Sequence, residues 1–167
     1  MRISPESIEG LTADELIGFV VSNRYKPENY GLLQSSDFAR LPDYVKHLIF
    51  ILQFETEYEM QGILTLLQNT SGQYLYQTID SFAQTDNNGI ARCLAEVAEL
   101  LTSHGLTVAD LRKSYQGVNP YDVVAAGVVG QDEELTEQIA GVDEQLRPLM
   151  EEKGFWTNVE NKIKDKR

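Results

Sequence analysis

Apolar residues recur along this chain at helical spacing, and capping residues punctuate them. Ser4, Pro5 and Glu6 read as an N-cap, a first-turn proline and a first-turn acid. Thr12 and Glu15 form a capping box, after which Leu16, Phe19 and Val20 follow a helical period until Pro27. Residues 27–37 read as a loop. Pro42 marks the next start, with Val45, Leu48, Ile49 and Leu52 at i, i+3, i+4 and i+7. A separate segment from about Glu57 to Gln68 carries Met60, Ile63, Leu64 and Leu67, and Asn69 to Gly72 breaks it. Leu75, Ile79 and Phe82 share a face in residues 73–84, and Asp86 to Gly89 is the following break.

The second half repeats the pattern. Ile90, Cys93, Leu94, Val97, Leu100 and Leu101 form one broad face that Gly105 closes, and Thr107 caps a short helix with Val108 and Leu111. Asn119-Pro120 is another start. The apolar run Val123–Val129 allows a strand by its β-branched residues, but a lone strand has no partner, so a buried helix is favoured. Leu135, Ile139, Val142, Leu146 and Leu149 step by 4, 3, 4 and 3, and Gly154 ends that helix. Phe155 and Trp156 open a final helix with Val159, Ile163 and a basic end, Lys162 to Arg167. The expected fold is all-α: one globular domain, residues 1–167, of about eight to ten short helices.

Charge narrows the functional classes. Across 167 residues, 26 acids outweigh 14 Lys and Arg, for a formal net charge of −12. Such a balance opposes direct nucleic-acid binding and docking on anionic membranes. The longest apolar runs are too short to span a bilayer. The start of the chain lacks the basic-then-apolar pattern of a secretory signal, so a cytoplasmic protein is expected. One cysteine, Cys93, excludes an internal disulfide framework.

Candidate chemistry is sparse. Cys93 lies on an apolar stripe and reads as inert core, about 16 Å from His104 along one helix. His47 sits beside an apolar face. No nucleotide-binding, metal-ligand or nucleophile-elbow spacing occurs, so no cofactor and no metal are expected. Glu55, Glu57 and Glu59 alternate and share no helical face, which reads as solvated acid. Residues 131–152 stand out, with eight acids against one base, Arg147. Glu137, Glu144 and Glu151 repeat every seven residues, with Asp132, Glu133, Glu134, Asp143 and Glu152 beside them. A solvated face explains this pattern. So does a rail of negative charge that a basic protein surface recognises.

Residues 57–101 carry a further pattern: Glu57, Gly62, Ile63-Leu64-Thr65-Leu66-Leu67, Asn69 and Gly72, then Ile79 to Ala83 and an Ala-rich stretch from Ile90 to Leu100. It resembles a bacterial domain family, first described as of unknown function and typified by an acidic DNA-mimic protein. The chain departs from the family in holding Gln61, Ile63, Leu66 and Leu67 where a second glycine and aromatics are common. A family-like core of about 43–115 precedes the acidic helical part, about 119–167. In this pattern Gly62 would permit close helix approach, and Asn69 with Gly72 would end a helix. The resemblance implies an all-helical fold, frequent homodimers and, in the typifying member, occupation of a DNA-binding protein in place of DNA.

The expectation is a non-enzymatic acidic interaction module, a DNA mimic bound to the basic surface of a DNA-binding protein such as a transcription factor. Its contact residues would be Asp132, Glu133, Glu134, Glu137, Asp143, Glu144 and Glu151. Three alternatives stay open: an immunity-type protein that neutralises a basic nuclease toxin, a small enzyme with an unrecognised carboxylate site, and a helical domain whose charge serves solubility alone.

Overall fold

The protein is described from a computed structural model, over residues 1–69, 71–114 and 129–166. Among the described residues it has nine α-helices, four short 3-10 turns and no strand. In chain order they are α1 (Pro5–Ile8), α2 (Ala13–Asn23), α3 (Ser36–Arg40), α4 (Asp43–Gln68), α5 (Leu75–Gln84), α6 (Asn88–Ser103), α7 (Val108–Ser114), α8 (Glu133–Glu151) and α9 (Phe155–Lys164). The expected Asn119-Pro120 start and most of the Val123–Val129 run lie outside the described residues. Val129 itself is buried at the head of a 3-10 turn.

The sequence caps form as the residue types require. Ser4 and Ser7 bond reciprocally at α1, and Thr12 and Glu15 do so at α2, with Thr12 N–H donating to Glu15 Oε2 at 2.8 Å. Thr107 and Asp110 repeat the arrangement before α7, where Thr107 N–H donates to Asp110 Oδ2 at 2.8 Å. Each closed cap contributes about 1 kcal/mol.

Helix α4 is the axis of the fold. It packs against α2, α5, α7, α8 and α9, while α6 fits between α5 and α8. Leu48, Ile49, Ile51, Leu66 and Leu67 of α4 are fully buried, with Phe54 and Phe82 among the largest enclosed side chains. The Phe82 ring meets Phe54 edge-on at 5.6 Å and Phe155 at 5.9 Å, which ties α4, α5 and α9 together. The apolar face of α8 also faces this core: Leu135, Ile139, Val142, Leu146 and Met150 are buried within one protomer. That stripe therefore serves the core, and is not free for a dimer. Met150 is buried where the spacing pointed to Leu149, which packs at the margin.

The break expected between Leu52 and Glu57 does not occur. The helix runs on and is interrupted only at Gly62, whose φ of 71° and ψ of 174° are reached almost solely by glycine. The reason is that Gln53, Glu55 and Glu57 are buried although polar, so apolar periodicity is blind to the face they occupy. Nothing lies within 4 Å of a Cβ built at Gly62, so its role is backbone conformation and not the close approach expected of it. Close approach belongs to Gly72, where a Cβ would collide with the Leu67 carbonyl group. At the end of α8 the left-handed residue is Lys153, with φ 51°, whereas Gly154 has ordinary helical angles and opens α9.

Candidate protein-binding surface

The buried face of α8 fixes the direction of its other faces. With Leu135, Ile139, Val142 and Leu146 held in the core, Glu133, Glu134, Glu137, Glu144 and Glu151 are all exposed. Seven residues of α-helix advance about 10.5 Å, so Glu137, Glu144 and Glu151 form a regular row along the helix. None of the five enters an ion pair among the described residues. Helix α6, packed alongside, also has exposed Glu96 and Glu99, but Glu99 lines the groove between α6 and α5 and not the α8 row.

The two aspartates differ from these glutamates. Asp132 caps α8, its Oδ1 accepting from Leu135 N–H at 3.0 Å, and its Oδ2 lies 2.7 Å from His104 Nδ1. The other ring nitrogen of His104 lies 3.2 Å from Gln138 Oε1, and the Gln138 amide nitrogen donates to Glu134 at 3.2 Å. Two acceptors face the imidazole, so its protonated form is favoured and its pKa is raised, chiefly by the Asp132 hydrogen bond. Asp143 is mostly covered. The Tyr58 hydroxyl donates to its Oδ1 at 2.7 Å, and Arg147 donates to its Oδ2 at 2.9 Å. Burial, then this bond to Asp143, pushes the Tyr58 phenol well above its usual range. Arg147, the one base in the acidic stretch, is thus spent on Asp143. The structure leaves five glutamates open to a partner and commits both aspartates to the fold. The link between His104 and Asp132 spans 28 residues, and no local spacing announces it.

Other acids expected to be solvated are internal. Glu57 is 2% exposed and Glu55 8%. Glu57 accepts from Ser71 N–H and from Gln53 Nε2, each at 3.1 Å. The opposite end of the Gln53 amide accepts from Arg24, whose guanidinium also donates to the Asn29 carbonyl at 3.1 Å. This relay joins the N-terminal segment to α4 and to the turn after Asn69. Burial raises the Glu57 pKa to about 7 despite those donors. Glu55 accepts from Trp156 Nε1–H at 2.8 Å and faces Lys153 Nζ at 3.7 Å, while Lys153 pairs more closely with exposed Glu59 at 2.8 Å. Cys93 is buried, and burial raises its thiol pKa, which keeps it protonated and unreactive.

No cluster of three or more metal-ligating side chains occurs among the described residues. No described helix is long and apolar enough to cross a membrane. Compared with family models, curated proteins and solved structures, the chain matches none. Within the motif of residues 57–72, Glu57 is a buried acceptor, Gly62 supplies a glycine-only backbone turn, Asn69 follows the last turn of α4, and Gly72 lies against Leu67.

Proposed function

We propose that this protein is a non-enzymatic acidic interaction module that occupies the basic, DNA-binding surface of a protein partner. The observation that carries this reading is the row of exposed glutamates on α8, none of them in an ion pair among the described residues and all held on a helix whose other face is locked into the core. Duplex DNA presents one negative charge per ~1.7 Å of its axis, so a partner evolved to grip it carries a dense array of Lys and Arg. Carboxylates carried on a packed helix meet such a surface with no backbone left to order, so the ordering cost is confined to their side chains. The resemblance of residues 57–101 to a DNA-mimic family supports the same reading. Attraction of this kind steers association and weakens with salt.

The test is affinity capture from the host lysate with the wild-type protein and with Glu137→Lys/Glu144→Lys as baits. The reading expects a DNA-binding protein on the wild type alone, eluted by salt and by competing duplex DNA. Equal capture by both baits would remove α8 as the contact face. A captured nuclease that resists salt would favour the immunity alternative.

A further inference from the structure

A second site lies away from α8. Helices α4, α5 and α9 enclose a cleft of about 980 Å³, and no residue of α8 lines it. Ligand sites commonly have volumes of ~300–1,000 Å³, with apolar and aromatic walls and a few placed polar groups. Tyr44, Phe50 and Tyr76 supply the aromatic surface here. Tyr76 is more than half exposed although it is a large ring, and Phe50 is buried.

The polar groups are ordered. His47 Nδ1 lies 3.0 Å from the hydroxyl of buried Ser81, and that hydroxyl lies 2.6 Å from the Gln77 carbonyl. A carbonyl only accepts, so the Ser81 proton points to Gln77 and the Ser81 oxygen accepts from His47 Nδ1–H. Nδ1 therefore carries the ring proton. Nε2 is left as an acceptor with no protein partner among the described residues, on a side chain that lines the cleft. Burial lowers the His47 pKa, which favours this neutral form.

Positive charge collects in the same place. Lys46, Lys162 and Lys166 line the cleft against Asp43 and Asp80, in a chain with a net charge of −12. Lys46 is held by Asp43 at 3.0 Å. Lys162 reaches Asp86 only at 3.8 Å, and Lys166 has no ion pair among the described residues. A lysine at a helix C-terminus complements the macrodipole, and Lys164, paired with Asp14 at 3.3 Å, is explained that way. Lys162 and Lys166 differ in lining an aromatic cleft, where Lys162 has only a long ion pair and Lys166 none among the described residues, against the one carboxylate, Asp80, that no lysine there holds.

We propose that this cleft binds a small planar aromatic anion. The ring lies among Tyr44, Phe50 and Tyr76, an N–H on its edge donates to His47 Nε2, and its anionic group rests on Lys162 and Lys166. Two kinds of ligand share that chemistry: a nucleoside monophosphate and an amino-substituted aromatic carboxylate. Calorimetric titration of the intact protein at low salt, with AMP and with 4-aminobenzoate as probes, separates them. At least one should bind, and adenosine and inorganic phosphate should bind at least roughly tenfold more weakly than AMP if AMP is the better ligand.

Lys162→Glu/Lys166→Glu should weaken the better probe by tenfold or more. Lys26→Glu/Arg92→Glu, which makes the same change in net charge at exposed sites elsewhere, should change it by less than about threefold. His47→Phe should weaken the ring-bearing probe and leave inorganic phosphate unaffected, a result that general unfolding would not produce. The proposal is overturned if neither probe binds at millimolar concentration, or if the two double variants weaken binding equally. These outcomes are independent of capture by the α8 face.

Discussion

Helices α4 and α8 are both rich in glutamate, and they use it in opposite ways. In α4, Glu55 and Glu57 point inward and are held by Trp156, Ser71 and Gln53. In α8, Glu133, Glu134, Glu137, Glu144 and Glu151 point outward and form no ion pair among the described residues. The first set spends its hydrogen-bonding capacity on the fold. The second leaves its charge facing solvent, with only Glu134 accepting a side-chain hydrogen bond, from Gln138. A carboxylate's part is thus set by which face of its helix the core claims, and not by its place in the sequence. Asp143 makes the same point within α8: it belongs to the acidic stretch, but Tyr58 and Arg147 have drawn it into the structure.

The comparison can be broken most forcefully at Glu57. Its pKa is raised from 4.5 to about 7, so the folded state holds a proton that the unfolded chain has released. The stability this brings is fully present below pH 4.5 and is lost as pH rises through about 7. Glu57→Gln stays neutral throughout. Relative to the variant, the wild type should lose up to about 3 kcal/mol over that window. Urea denaturation of both proteins at several pH values measures this, and parallel stability curves would show that Glu57 is not held as a buried acid.

The turn that lets α4 place Glu57 is the next point of attack. Gly62→Ala forces a side chain into a glycine-only conformation and should cost about 1–3 kcal/mol, read from the same denaturation midpoint. An unchanged midpoint would mean that the helix straightens through this position at no cost.

The smallest effect is expected on α8, and smallness is the informative result. Glu137→Gln/Glu144→Gln/Glu151→Gln should alter stability by no more than about 0.5 kcal/mol, with a slight gain as like charges are removed. Partner capture should fall sharply in the same variant. A loss of stability above about 1 kcal/mol would place these glutamates with those of α4 as structural groups.

Much of the fold was legible residue by residue. Capping at Thr12 and Thr107, the buried face of α6, and the inward stripe of α8 all follow from interactions within one or two turns, which short-range spacing encodes. The exposed row on α8 was legible for the same reason, since a helix with one apolar face has its opposite face in water. The course of α4 was not legible, because Gln53, Glu55 and Glu57 are polar groups buried by partners 14 to 101 residues away, or by one another. Nor was the pairing of His104 with Asp132, or of His47 with Ser81, since each joins separate helices or turns.

The sequence by itself therefore determined helical character, most helix ends and the outward acids of α8, because these depend on backbone capping and on a period of 3.6 residues. Only the tertiary structure decided which acids lost their solvent, which aspartates were tied down, and where aromatic rings, lysines and a neutral histidine came to share one cleft. Burial and hydrogen bonding between distant segments set those outcomes, and a local pattern of residue types holds no record of them.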